Sequence, residues 1–262
     1  MLTIYDSTPT LVYCLVVATV LGAALGSFLN CTAWRYVHGG TALRGRSVCP
    51  SCGHVLGPGD LVPVISYLAL RGKCRYCGTR IALRYMLTEL AFALVTVLCL
   101  LRFDLTVLCL RNWIFLGCLF LLTLTDLEDC VIPDSSIVIA AAVWVLTLPL
   151  LWNGWGDAAA RVLTGLVAGG ALLGLSLLMD RILGRESLGG GDIKLFAVVG
   201  LYLGPVATLF AVLLSCILGL AFAAVARRGS GKPFPFGPSI AVSACVMLLW
   251  GMPLVNWYMG LF

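Results

Sequence analysis

Residues 186–195 read ESLGGGDIKL, and the apolar run that they open continues without a charge from Leu195 to Ala226. Three successive glycines are poor helix formers, and Asp192 directly after them stands where a charge is expensive. Non-helical backbone at membrane depth is tolerated only where it is buried in protein or lines a wet cavity. We therefore expect the glycine run to be non-helical and Asp192 to face a cavity.

The composition indicates a membrane protein. The 262 residues are 61% hydrophobic and 11% charged, against about 25% charged residues in an ordinary soluble domain. About 20 apolar residues cross a bilayer as a helix. The uncharged runs are 11–34, 135–156, 162–179, 195–226 and 233–262, with shorter apolar runs at 85–103 and 106–125. These runs predict an all-α polytopic membrane protein with about eight transmembrane helices, the 195–226 run being hinged at Gly204–Pro205.

The basic residues predict the topology. Eight of the 17 lysines and arginines lie between Cys31 and Arg84, against the single acid Asp60, and short loops rich in Lys and Arg stay cytoplasmic. The loop after the first span is therefore expected inside and the N-terminus outside. Threading eight spans from that start puts 14 of the 17 basic residues on the cytoplasmic side. Topology thus accounts for the net charge of +5, and we expect no nucleic-acid partner.

This loop carries two CxxC pairs, CPSCGH at 49–54 and CRYCGT at 74–79. Four thiolates at this spacing can close a tetrahedron around zinc without a further ligand, so the metal would be structural. A pair of redox-active CxxC sites is the alternative, and His54 is interpreted as a bystander. The metal ligands are predicted to be Cys49, Cys52, Cys74 and Cys77. We divide the chain into a first span (1–34), a cytoplasmic zinc-ribbon-like loop (35–84) and a transmembrane core (85–262).

A second acidic stretch, TDLEDCVIPD at 125–134, follows an apolar run. Asp126 is expected at the membrane boundary, where an ionisable residue is a functional candidate, whereas Asp134 after Pro133 is interpreted as a helix start. The topology puts Asp126 and Asp192 on one side of the membrane at similar depth. Two such carboxyls can share a proton, so that one acts as a base toward water and the other donates to a carbonyl. This is aspartic-protease chemistry.

Several motifs in this order resemble the type IV prepilin peptidases over nearly the whole chain. They are GSFLN at 26–30, the two CxxC pairs, an aspartate eight residues before that of IPD, GGGDIKL at 189–195 and FGP at 236–238. The resemblance implies that Asp126 and Asp192 are the catalytic pair of a GxGD-type intramembrane aspartyl protease. It further implies a catalytic loop containing Gly189, Gly191 and Lys194.

The resemblance also implies a substrate and a second activity. The enzyme would cut a prepilin or pseudopilin after the glycine that ends its short basic leader. It would then methylate the new N-terminal amine from S-adenosylmethionine, in the bacterial cytoplasmic (inner) membrane. Neither a particular pilin nor an oligomeric state is indicated.

Two further sets of residues are weaker candidates. A basic leader would be attracted to the acids beside the catalytic pair, which are Glu128, Asp129 and Glu186. For methyl transfer the candidates are Gly72 and Glu89. Gly72 could equally serve a tight turn, and Glu89 could equally pair with Arg84 or a neighbouring helix. No GxGxxG loop marks a nucleotide site.

Two other functions remain open from the residues alone. Intramembrane carboxylates and glycine-interrupted helices also mark proton-coupled transporters. A non-catalytic membrane scaffold could use the zinc loop to bind a cytoplasmic partner. Neither explains why two acids lie at matching depth.

Overall fold

The computed structural model describes residues 4–5, 7–40, 45–184, 188–226 and 234–260. These residues are mainly helical and contain no β-strand, only two isolated bridges between extended residues. A short 3-10 turn, Pro58–Asp60, lies between the first two helices. The α-helices are α1 (Thr8–Val37), α2 (Ile65–Ala69), α3 (Leu83–Phe103), α4 (Val107–Asp129), α5 (Asp134–Thr147), α6 (Trp155–Leu183), α7 (Gly190–Leu203), α8 (Pro205–Ala226) and α9 (Gly237–Met259).

The prediction of an all-α polytopic membrane protein is confirmed. Among the described residues, five helices are long and apolar enough to cross a membrane, namely α1, α3, α4, α6 and α8. Of the other predicted spans, α5 and α7 are shorter, with 14 residues each, whereas α9 has 23 residues with Pro253 inside it. A 14-residue helix is about 21 Å long, less than the roughly 30 Å of a bilayer core.

The prediction for the glycine run was wrong in one respect. Gly189 is the N-cap residue of α7, and Gly190, Gly191 and Asp192 form the first helical turn. Glycine is unfavourable in a helix interior, but here the run sits at the end of the helix, where an N-cap tolerates glycine. The hinge at Gly204–Pro205 is confirmed, because α7 ends at Leu203 and Gly204 has a φ of +75°.

The chain forms two compact units, residues 1–113 and 114–262. In the first unit, α1 packs closely on α3 through small residues. A Cβ on Gly22 would lie 2.7 Å from the Cα of Ala93, and one on Gly26 would lie 3.1 Å from the Cα of Glu89. The two glycines form a GxxxG pattern, which lets membrane helices approach closely. The predicted division into 1–34, 35–84 and 85–262 follows membrane sides rather than packing and stays a prediction.

In the second unit, α6 and α7 also pack closely through glycines. A Cβ on Gly165 would lie 2.6 Å from the carbonyl oxygen of Ala197, and one on Gly200 would lie 2.7 Å from the Cα of Gly165. Gly169, the second glycine of a GxxxG pair, also faces Ala197. This close contact holds α7, and with it Asp192, against the long helix α6.

Substitution of Gly165 by leucine should destabilise the second unit, because the side chain has no space between α6 and α7. Overpacking a tight contact costs about 1–3 kcal/mol or more. Gly170→Leu on the same helix is the matched control, since a Cβ there meets nothing within 4 Å. Thermal unfolding of the purified proteins in one detergent measures the difference. Equal melting temperatures for the two variants would contradict the contact.

Candidate functional site

Asp126 lies in the last turn of α4 and is only 4% exposed. A carboxylate at the C-terminal end of a helix is disfavoured by the helix dipole. The N-terminus of α9 compensates for this, because the amide of Gly237 donates to Asp126 Oδ2 at 2.8 Å. A carboxylate at a helix N-terminus is stabilised by the free amides there. The chain thus provides Asp126 with a specific donor from 111 residues away.

The chain turns sharply just after Asp126. Cys130 has a φ of +53°, and its amide donates to the carbonyl oxygen of Asp126 at 2.9 Å, which ends α4. Pro133 then precedes Asp134, the first residue of α5, as the sequence predicted. This turn ends α4 within one helical turn of Asp126.

Asp192 is the third residue of α7 and is 8% exposed. Its carboxyl accepts a hydrogen bond from the amide of Gly189, the N-cap residue. The other carboxyl oxygen, Oδ1, is buried and has no hydrogen-bond partner within the described parts of the chain. Because a buried polar atom without a partner is costly, Oδ1 is available to a water molecule or a substrate.

The second unit brings Asp126 and Asp192 close enough to interact electrostatically. Two neighbouring contacts position them. The ring of Phe196 on α7 lies 6.4 Å from that of Phe236, which directly precedes Gly237. A Cβ on Gly191 would lie 2.9 Å from that of Ile132, in the turn after Asp126. Gly191 therefore allows the start of α7 to approach the end of α4.

The other residues predicted for this site are one lysine of the catalytic loop and three acids proposed to attract the leader. Lys194 forms an exposed ion pair with Asp134, with a 2.7 Å Nζ–Oδ1 distance. Glu128 is partly exposed and Asp129 is exposed at the end of α4. Glu186 lies outside the described residues.

Gly237 is a candidate site residue that the sequence interpretation missed. A Cβ there would lie 2.8 Å from Asp126 Oδ2, so that only glycine permits the present contact. The FGP stretch at 236–238 was a usable signal, because a proline in the first turn is typical of a helix start.

The four predicted metal ligands come together in the first unit. Their Sγ atoms all lie within 4.8 Å of one another, and those of Cys49 and Cys77 are 3.9 Å apart. Sulfurs bound to one zinc ion at about 2.3 Å would be about 3.8 Å apart. The cluster can therefore hold a metal ion. His54 is not one of its members, and its ring packs against that of Tyr76 at a tilt of 30°.

The two CxxC pairs have the same backbone conformation. The amides of Gly53 and Gly78 donate to the carbonyls of Cys49 and Cys74, at 2.8 and 2.9 Å. Both glycines have a φ near +70° (+68° and +71°), as the tight turn requires. Each CxxC therefore forms a compact knuckle that directs two sulfurs to a common centre.

Hydrogen bonds prepare two of these cysteines as ligands. The side chain and amide of Thr79 lower the pKa of the Cys77 thiol to about 6. The backbone amides of Cys52 and Ser51 lower the pKa of Cys49. Since the thiolate is the form that binds metal, these donors favour the metal-binding form of Cys49 and Cys77, whereas desolvation and the neighbouring thiols raise the pKa of Cys52 to about 11.

Gly72 and Glu89, the candidates for methyl transfer, both belong to the first unit. Gly72 has a φ of +66° and lies against Tyr67. Glu89 is 9% exposed, and its Oε2 accepts a hydrogen bond from the amide of Val64 at 2.8 Å. One oxygen of Glu89 is thus engaged by a backbone contact, and the ion pair with Arg84 stays a prediction.

Two family models match the chain in sequence. Residues 20–103 match the bacterial peptidase A24 N-terminal domain, and residues 113–224 match the type IV leader peptidase family. No solved structure matches the chain.

Curated relatives carry the name prepilin leader peptidase/N-methyltransferase. The protein from Burkholderia pseudomallei (strain K96243) is 37% identical, and the match covers 79% of this chain and 68% of the relative. The protein from Aeromonas salmonicida (strain A449) is 32% identical, covering 82% and 75%. The protein from Bacillus subtilis (strain 168) is 31% identical, covering 91% and 95%.

The cysteine cluster should bind one metal ion per chain. The Cys49→Ser variant should contain much less metal per chain, because three thiolates leave a coordination position open. Metal analysis of the purified protein measures the content, with Cys216→Ser as control, since Cys216 is an exposed cysteine outside the cluster. A metal content that is unchanged in Cys49→Ser would contradict the assignment.

Proposed function

This chain belongs to the type IV leader peptidase family, and we propose that Asp126 and Asp192 are the carboxyls with which it removes the leader peptide of a prepilin or pseudopilin. One observation carries the assignment. Two aspartates from different helices of a membrane protein are almost fully buried and interact with each other. Buried ionisable groups of this kind are typical of catalytic sites.

The surroundings of the two carboxyls suggest separate roles. Asp126 accepts from the Gly237 amide at the start of α9, which stabilises a charged carboxylate. Asp192 has the free buried oxygen Oδ1, which can carry the shared proton. In this scheme a water oxygen attacks the scissile carbonyl carbon while Asp126 takes a proton from that water. Asp192 gives its proton to the carbonyl oxygen. Asp126 then gives the proton it gained to the leaving amine nitrogen as the C–N bond breaks, and Asp192 recovers a proton from a hydroxyl of the tetrahedral intermediate.

The acids beside the pair suit a basic leader. Glu128 and Asp129 lie in the last turn of α4 with Asp126, and Glu186 precedes the glycine run in sequence. Opposite charges attract more strongly near low-dielectric lipid than in water. We place the leader and the catalytic pair at the cytoplasmic face of the bacterial inner membrane, with the N-terminus outside. The apolar segment of the pilin would lie among the helices.

The second activity is methylation of the new N-terminal amine, for which we propose S-adenosylmethionine as the methyl donor. We further propose that Cys49, Cys52, Cys74 and Cys77 hold zinc. With four thiolates and no open position, zinc would be structural and would stabilise a loop too small to build a core of its own. A proton-coupled transporter or a non-catalytic scaffold would need neither a paired catalytic acid nor a methyl donor.

Replacing either Asp126 or Asp192 by asparagine should lower cleavage of a co-expressed prepilin by at least about 10³-fold, because the two carboxyls act as a unit. Mass spectrometry of the pilin measures the loss of its leader. The control is Asp134→Asn, which removes only an exposed ion pair worth about 0–1 kcal/mol. Substantial cleavage by Asp126→Asn would remove that residue from the catalytic role.

Methylation should follow cleavage, because the acceptor amine does not exist until the peptide bond is cut. Cys74→Ser should lower methylation more than cleavage, since the aspartates and the cysteine cluster belong to different compact units. Asp192→Asn should remove both products. Time courses of leader loss and methyl incorporation measure the order. Methylated but uncut prepilin from either variant would refute the ordered scheme.

A further inference from the structure

The first unit contains a cavity of about 520 Å³ beside the cysteine cluster. It lies between the C-terminal half of α1, the two CxxC knuckles and the first turns of α3. Sites for small molecules typically occupy about 300–1,000 Å³. The cavity is thus large enough for a nucleoside-sized ligand and too small for a peptide helix.

The described lining combines aromatic and charged groups. Trp34, Tyr67 and Tyr85 contribute aromatic rings. Five arginines also line the cavity, together with two carboxylates, Asp60 and Glu89. A ligand that matches this wall has a flat apolar part, an anionic group for an arginine and a cationic centre for a carboxylate or an aromatic face.

The arginines of the cavity differ in whether they form an ion pair with a carboxylate. Arg75 is paired with Asp60, with a 2.6 Å Nε–Oδ1 distance, so that these charges largely neutralise each other. Arg46 and Arg80 form no ion pair with a carboxylate of the described residues. They are therefore available to an anionic group of a ligand.

Glu89 provides a buried negative charge in the same wall. One of its oxygens accepts the Val64 amide at 2.8 Å, and Val64 has a φ of +61°. For a β-branched residue this conformation is strained, and such strain is typical of functional sites. The Val64 contact holds the Glu89 carboxylate in a fixed position at the cavity.

Gly72 controls the position of one aromatic wall residue. A Cβ at Gly72 would lie 2.8 Å from the hydroxyl oxygen of Tyr67, whose hydroxyl donates to the carbonyl of Ile81 at 3.3 Å. A side chain at position 72 would push the Tyr67 ring out of place. Gly72 thus acts through Tyr67 and is a positioning residue.

We propose that this cavity is the methyl-donor site, with the donor carboxylate bound by Arg46 and Arg80, the adenine against the aromatic rings and the sulfonium beside Glu89. This inference rests on the proposed methyltransferase activity. The methyl carbon leaves sulfur, which keeps the bonding electron pair as a thioether, and bonds to the neutral amine nitrogen, which releases a proton to water. Glu89 attracts the sulfonium of the donor but gains nothing from the neutral thioether of the product, so that it favours exchange of spent donor for fresh donor.

The test is equilibrium binding of S-adenosylmethionine and of S-adenosylhomocysteine to the full metal-loaded chain in nanodiscs. Arg80→Gln should weaken both ligands about fivefold or more, because the carboxylate is common to them. Glu89→Gln should weaken S-adenosylmethionine about fivefold and S-adenosylhomocysteine less than about twofold, since only the first carries the sulfonium. Glutamine at position 89 keeps an acceptor for the Val64 amide. An unchanged metal content shows that the loop with the cysteine cluster is still folded in each variant.

Matched controls lie on α6, outside the cavity. Arg181→Gln and Asp157→Asn remove one charge of each sign at residues that do not line it, and neither should change the binding of either ligand. Equal weakening of both ligands by Glu89→Gln would overturn the sulfonium assignment. Normal binding by the Arg46→Gln/Arg80→Gln double variant would overturn the cavity assignment while leaving the methyltransferase function intact. No binding of S-adenosylmethionine to the wild-type chain would overturn that function as well.

An anionic phospholipid headgroup is the competing occupant of a cationic cavity. Nanodiscs of phosphatidylcholine and of phosphatidylglycerol distinguish the two, because our assignment predicts the same affinity for S-adenosylmethionine in both. If phosphatidylglycerol abolished binding and Arg80→Gln restored it, the arginines would hold the lipid and the proposal would be wrong.

Discussion

The structure of the second unit depends on the burial of two carboxylates in an apolar chain. An uncompensated buried charge is costly, and backbone amides of the described residues reduce this cost. Gly237 donates to Asp126, and Gly189 donates to Asp192. Backbone donors are fixed by the helices that carry them, so that they hold the two carboxyls in place.

Glycine is what makes these contacts possible. At position 237 it lets a helix start reach Asp126, and at position 191 it lets the start of α7 approach Ile132. At 165 and 200 it lets α6 and α7 meet almost backbone to backbone. Each glycine weakens its own helix, and the close packing between helices compensates for that loss.

Local patterns in the sequence predicted the features that depend on neighbouring residues. The apolar runs gave the main helices, the CxxC spacing gave the cysteine cluster, and Pro133 and Gly204–Pro205 gave two helix boundaries. The contact between Gly237 and Asp126 could not be predicted, because it joins residues 111 positions apart. The glycine run was misjudged because propensity describes a helix interior, whereas Gly190 and Gly191 occupy a first turn.

The pH dependence of kcat/KM for leader cleavage by the wild-type chain tests the shared-proton mechanism most directly. A pair that works with one proton is inactive when both carboxyls are protonated and also when both are ionised. The account therefore predicts a bell-shaped profile with an acidic and a basic limb, each belonging to the pair. A profile that falls on one side only, under conditions where the protein stays folded, would contradict a mechanism in which Asp126 and Asp192 share a proton.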